Sequence, residues 1–300
     1  MPCYCGGEMS RFLYFFGSFT IVFASKIFAD LPADMRLPDT FSDKYFKDVP
    51  AELLKQLHDY LASPGERTRN DIDKATGRVE FRSFRKLEDS GYAALGFQGY
   101  IDIPFQEAVS IWFANSRKKT QFMEHCQEFI ALKATPLTKL ENGIFTFNKT
   151  VLFRSEPMFI VWSRLFFTDN VIVVHSKERW VGGIAFANRN PEEFMPGVKD
   201  IDNDNKTVTA GVIVASSMIK EEKNGVWVNF SAYVNPNGKV GKIPRFIANN
   251  VAASWPISTR DKLIELVKSH PNEFEVIDFF NGKYNPQNDI EKITIETKKK

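Results

Sequence analysis

The sequence predicts an α+β fold, and three observations carry that expectation. Between Glu128 and Val234 strand-like segments follow one another without an intervening helix. Their separators are short and of turn type, so neighbouring strands pair antiparallel as hairpins. Helical periodicity then returns from Pro244 to His270, long enough to cover such a sheet. Strands in a run, rather than strands alternating with helices, mark α+β rather than a parallel α/β sheet.

The elements read in order as follows. Pro50–Leu61 has apolar residues at helical spacing, with Pro50 suited to a first helical position and Pro64-Gly65 as the stop. Val79, Phe81 and Phe84 alternate with charge and give a strand; Tyr92–Ile103 gives another. Pro104 opens a helix, Phe105–Ala114, whose inner side holds Val109, Ile111, Trp112 and Phe113; a second short helix carries Phe122 and Met123. The strand-rich stretch comprises Glu128–Lys133, Ile144–Phe153, Met158–Phe167, Val171–His175, Trp180–Asn188, Val208–Ser216 and Val226–Val234. Turns are expected at Glu141-Asn142-Gly143, Thr168-Asp169-Asn170, Asn188–Pro191, Asn224-Gly225 and Asn235–Gly238, and Gly182-Gly183 reads as a bulge. In the last helix Phe246, Ile247, Val251 and Ala252 share a face, Pro256 kinks or breaks it, and Arg260–His270 resumes with Leu263, Ile264, Leu266 and Val267 inside. Phe274–Phe280 reads as a strand, followed by a charged tail of disordered composition. One sheet and one long helix bury both apolar faces only if the sheet curls around the helix, which leaves a cavity between them.

Composition narrows the function. Hydrophobic residues make up 43% and charged residues 25% of 300, which is ordinary for a folded soluble chain. Phenylalanine is the outlier at 28 copies, which serves either a broad apolar interior or simply a Phe-rich core. A net charge of +2 gives no electrostatic case for nucleic acid. Lys298–Lys300 reads as a solvated basic end, too short for a membrane tether.

Arg11 followed by the apolar run Phe12–Ala24 has the charge and length of a signal peptide, and the run is too short to span a bilayer. Residues 1–29 are therefore expected to be removed, with cleavage after Ala29 preferred over Ala24 and Met9 as a second candidate start. Export to the periplasm or the extracellular space follows. No cysteine closes the apolar run, so a lipoprotein anchor is not expected. Residues 30–48 are polar and proline-punctuated and read as a linker. Cys3 and Cys5 precede the apolar run, which leaves Cys126 alone and an internal disulfide impossible in the mature chain.

Catalytic and metal motifs give little. His58, His125, His175 and His270 are scattered, with neither H-x-x-x-H nor H-E-x-x-H, so no metal is expected. Ser216 and Ser217 lack the glycines of a nucleophile elbow. His125 and Cys126 are adjacent and so point apart, and Cys126 reads as a buried thiol. Asp200–Asn205 lacks the glycine and glutamate of a calcium loop. Asn148-Lys149-Thr150, Asn205-Lys206-Thr207 and Asn229-Phe230-Ser231 fit the glycosylation sequon, which matters only in a eukaryotic secretory route. Arg154 and Arg164 lie in strands and read as outward charges; if buried they need a carboxylate, from Glu141 or Glu156. Asn249 and Asn250 are the better candidates to meet a polar ligand group, since amides tolerate a wet cavity.

The segment Tyr233–Asn249 (YVNPNGKVGKIPRFIAN) resembles the last strand, turn and "I-P-x-W/F-hydrophobic-x-N" helix start of START domains, the StAR-related lipid-transfer fold. Its turn is longer by a few residues. Trp255–Thr259 with Leu263 is similar to the proline-interrupted helix of bacterial members, and Gly96–Val109 to the superfamily's strand-to-helix turn. Phe166–Val171 resembles a degenerate "S-x-R-D" turn without its arginine. The resemblance covers residues 49–270 as one domain, leaving 271–300 as a tail. It implies a helix-grip fold in which the last helix lids a hydrophobic tunnel. It further implies non-catalytic binding or transfer of a lipid and no cofactor; transient membrane contact and a monomeric state are expected alongside. The lining residues expected on this basis are Trp112, Trp162, Phe166, Trp227, Phe230, Phe246, Asn250 and Val251. Two other functions use the same architecture: an enzyme of cyclase or hydrolase type acting on a hydrophobic substrate, and an interaction module with a closed core.

Overall fold

The computed structural model describes residues 41–62, 67–72, 79–87, 93–114, 119–123, 126–141, 143–156, 163–196, 207–235, 245–269 and 275–291. Residues 1–29, read as a signal peptide, and the first part of the linker lie outside the described residues. Helix α1 (Ala51–Ala62) precedes strands β1 (Arg67–Ile72), β2 (Val79–Leu87) and β3 (Ala93–Ile101). Helix α2 (Phe105–Val109) continues into a π-helical turn, Ser110–Ala114, and α3 (Lys119–Phe122) follows. Then come β4 (Cys126–Ala134), β5 (Thr138–Glu141), β6 (Ile144–Ser155), β7 (Ser163–His175), β8 (Trp180–Ala187), β9 (Thr207–Glu222) and β10 (Gly225–Asn235). The long helix α4 (Arg245–Ser269) leads to a C-terminal strap, residues 275–291, shaped by 3-10 turns at Phe279–Asn281 and Pro286–Asp289.

The strands form one sheet in the order β1-β2-β3-β10-β9-β8-β7-β6-β4, with β5 paired to β6. Pairing is antiparallel apart from a short parallel contact of Ser163–Phe166 with Thr207–Ala210. Strand periodicity sorts the core into two faces. On the inner face Phe97, Ile101, Ile172, Val174, Val181, Ile219, Val226 and Val228 meet Val109, Ile111 and Phe113 of the α2 segment and Leu263, Leu266 and Val267 of α4. On the outer face Val171, Val173, Trp180, Ile184, Val214 and Met218 meet Leu54 and Leu57 of α1 together with Phe41, Tyr45 and Phe46. An antiparallel sheet holding the C-terminal helix against one face is a helix-grip α+β arrangement.

Gly182 and Gly183 lie at the centre of this arrangement, and no bulge occurs there. Their positions face opposite sides, and each seats a phenylalanine. A Cβ on Gly182 would meet the Phe41 ring at 2.6 Å on the outer face; a Cβ on Gly183 would meet Phe113 at 3.5 Å on the inner face. Gly182 lets the outer-layer aromatic approach the sheet backbone, whereas a Cβ on Gly183 would make only ordinary contacts.

Several expectations change. Thr168-Asp169-Asn170 is not a turn but the middle of β7, paired on both sides. The Asp169 carboxylate accepts hydrogen bonds from the Thr150 hydroxyl at 2.8 Å and the Asn188 amide at 2.9 and 3.0 Å, so a turn-like tripeptide is satisfied across strands. β1 and β5 escape the sequence reading because RTRNDI and TKLE have no apolar alternation; β1 lies at a sheet edge, where charge is favoured. The chain stays helical through Pro256, so the proline does not break α4. Residues 274–280 form no strand over their described part: Glu275–Asp278 is irregular and Phe279 begins a 3-10 turn. Phe46 in the linker and Phe279 in the tail are each fully buried, so isolated aromatics anchor polar stretches that composition alone marks as loose.

Candidate functional site

Aromatic rings gather on the inner face. One rung of the sheet runs Phe97–Phe230–Ser217–Gly183–Ile172–Phe147 across six strands. The small residues in the middle admit Phe113. At one end Phe97 and Phe230 stack with centroids 5.4 Å apart, and Trp112 sets its ring near-perpendicular to both at 6.1 Å. Phe97 is buried, whereas Trp112 and Phe230 keep part of their surface accessible. A second aromatic rung crosses three strands, with Phe129–Phe153 at 6.2 Å and Phe153–Phe166 at 5.3 Å, and all three rings are partly exposed.

The strap crosses the inner face between these features and is fastened to four elements. The Ile277 amide donates to the Ser110 hydroxyl at 2.7 Å, and that hydroxyl donates to the Gln106 carbonyl at 2.6 Å. The Arg179 guanidinium stacks over Phe280 at 4.4 Å while holding Glu221 through two hydrogen bonds. Phe279 stacks on Phe147 at 6.4 Å. The Glu291 amide donates to the Ala131 carbonyl at 2.9 Å on β4.

Lys149 is the hub of this closure. It points to the inner face of β6, buried, and its ammonium donates to the Asp289 carboxylate and to the Phe113 carbonyl at 2.8 Å. The Tyr284 hydroxyl donates to the same Asp289 oxygen. One charge thus joins the sheet, the end of the α2 segment and the strap. Burial pushes the Lys149 ammonium below its ordinary range, and Asp289 partly opposes that shift. Burial and then the Asp289 charge push the Tyr284 phenol far above its ordinary range, so it remains a proton donor. Every member has partners, which makes the cluster a clamp rather than a poised acid or base. Its signal in the sequence is an alternation: Phe145, Phe147, Lys149, Val151 and Phe153 share one face, so a lysine lies on an otherwise apolar stripe.

The structure brings Trp112 and Phe230 together and adds Phe97, which the sequence reading missed although it lies directly opposite Phe230. Phe166 lies on the same face in the second rung. Trp227 faces the other way. It is buried among the outer-face residues, three positions from Phe230, and an odd separation on a strand reverses the side. The two cannot line one cavity. Trp162 lies outside the described residues; Phe246, Asn250 and Val251 lie on α4, with side chains outside the described set. Arg154 is half-buried and pairs with Glu128 at 3.6 Å rather than with Glu141 or Glu156, and Arg164 is buried rather than outward. Asn229 is buried, so its sequon is inaccessible in the folded chain. Cys126 is a buried thiol in no disulfide, and Asp200–Asn205 lies outside the described residues.

Two clefts lined by described residues lie away from the aromatic cluster. One, of about 400 Å³, runs along the strap between Glu275 and Glu291. The other, of about 320 Å³, lies by Asp48, Asn148, Asp169 and Asn188. Both are lined largely by polar side chains, so neither is the apolar chamber the sequence predicts. Among the described residues no group of three or more His, Cys, Asp or Glu is placed to hold a metal, and no helix is long and apolar enough to cross a membrane.

No known family profile matches the chain, and no curated protein matches it in sequence. Solved structures do match. Human StAR-related lipid transfer protein 5 is 8% identical, over 77% of this chain and 100% of that one, with a TM-score of 0.49. Human STARD10 is 11% identical over 75% and 86%, with a TM-score of 0.44. A StAR-related lipid transfer protein fragment from Xanthomonas axonopodis is 14% identical over 68% and 99%, with a TM-score of 0.43.

Proposed function

We propose that this chain binds an apolar small molecule of lipid type between the inner face of its sheet and α4, without chemically altering it. The observation that supports this most is the Phe97–Phe230–Trp112 cluster. Two of its three large rings retain accessible surface on the face that also carries α4 and the strap. Accessible aromatic surface inside such a fold is what an apolar ligand would cover, at about 25 cal/mol per Å² removed from water. The Tyr233–Asn249 resemblance supports the same reading. Transfer between membranes, and export directed by Arg11–Ala29, belong to the proposal.

Native mass spectrometry of the full chain, with organic extraction of the same sample, tests it. A bound mass that extracts as lipid supports the reading. Protein that purifies empty and takes up no sterol, fatty acid or phospholipid from mixed vesicles sinks it.

A further inference from the structure

We infer that the outer face of the sheet, on the side α1 covers, holds a second site for a small, neutral, hydrogen-bonding guest. Asn229 of β10 is 2% exposed, and neither its Nδ2 nor its Oδ1 has a hydrogen-bond partner. Gln98, directly opposite on β3, is 4% exposed with its Oε1 unpartnered. Ser216 of β9 and the Trp227 indole N–H are buried and unpartnered as well.

Register makes these atoms one patch. Asn229 and Gln98 share a rung; Ser216 lies on the next, opposite the buried Ser231; Trp227 lies on the rung before. All fall on the same side by strand alternation. Around them the outer face is apolar, with Val214, Met218 and Trp180.

Native proteins pair nearly all buried polar atoms, because a desolvated and unpaired donor or acceptor is costly. Here five such atoms lie on three successive rungs of one face. Asn229 Nδ2, Trp227 Nε1 and the Ser216 hydroxyl can donate; Asn229 Oδ1 and Gln98 Oε1 accept. None of the four side chains is charged, so nothing in the set neutralises an ion. The matching guest carries both donors and acceptors: enclosed water, or a small molecule bearing hydroxyl or amide groups. This site is independent of the apolar ligand on the inner face.

A crystal structure of the unaltered full chain at about 1.5 Å, fine enough to place ordered water, is the first arm. It should show guest density within hydrogen-bond distance of Asn229 and Gln98. Asn229 bonded directly to Gln98 or Ser216, with nothing between, overturns the inference. Stability is the second arm. Asn229→Leu and Gln98→Leu should each lower Tm by roughly 3 to 6 °C, because they strip partners from the guest. An unchanged or raised Tm overturns the inference, since deleting an unpaired polar group relieves its cost. Native mass spectrometry separates the sources: a small bound mass lost on unfolding marks an organic guest, and density without such a mass marks water. Either outcome supports the site.

Discussion

Two buried polar clusters lie on opposite faces of the same sheet. On the inner face the Lys149 ammonium, the Asp289 carboxylate and the Tyr284 hydroxyl bond one another and the Phe113 carbonyl. On the outer face Asn229, Gln98, Ser216 and Trp227 are as deeply buried, yet five of their polar atoms lack partners. The low dielectric that makes the first cluster a lock makes the second a demand for a partner. Burial alone does not separate a structural network from a site; the count of unmet donors and acceptors does.

The contrast can be broken first at the clamp. Asp289→Ala leaves Lys149 buried without its counter-charge and should cost about 3–5 kcal/mol in urea unfolding, with loss of hydrogen-exchange protection across residues 275–291. Replacing both partners, Lys149→Met with Asp289→Leu, should cost far less. Equal losses in the two proteins would show that the ion pair is not what fastens the strap. A smaller effect separates the two glycines. Gly182→Ala drives a methyl into Phe41 and should destabilise by about 1–3 kcal/mol, while Gly183→Ala meets only ordinary contacts and should stay within about 0.5 kcal/mol. Equal costs would mean the two faces are not packed as described.

The smallest effect is at alkaline pH. Because the folded Tyr284 phenol titrates above its unfolded value, its contribution is present below about pH 10 and is lost as pH rises further, at up to about 1.4 kcal/mol per unit. Lys149 has the opposite sign: its depressed folded value lets stability rise toward the unfolded lysine range. Tyr284→Phe removes the first effect and leaves Lys149 common to both proteins. The variant should lose less stability than the wild type between about pH 9 and 11; parallel curves would contradict the assignment.

Most of the fold was legible in the sequence because most elements carry a period. Ile144–Phe153, Trp180–Asn188 and Val226–Val234 alternate, and Pro50–Leu61 and Phe105–Ala114 repeat at helical spacing. What stayed hidden depends on contacts distant in sequence. Nothing local announces that Phe279 packs on Phe147, that Asp289 finds Lys149, or that Asp169 is satisfied by Asn188 and so sits within a strand. The candidate site was half legible. Trp112 and Phe230 came from aromatic character and apolar pattern, whereas pairing Trp227 with Phe230 ignored strand alternation, which the sequence itself already supplied.

The most direct test of the central claim uses that same alternation. Delipidated full-length protein is titrated with fluorescent sterol, fatty-acid and phospholipid probes, in the wild type and in Trp112→Ala, Phe230→Ala and Trp227→Phe. The account predicts saturable binding of at least one probe. Affinity should fall tenfold or more, about 1.4 kcal/mol, in the two inner-face variants and stay unchanged in Trp227→Phe. Absence of binding to every probe, or a loss in Trp227→Phe as large as in Phe230→Ala, would contradict it.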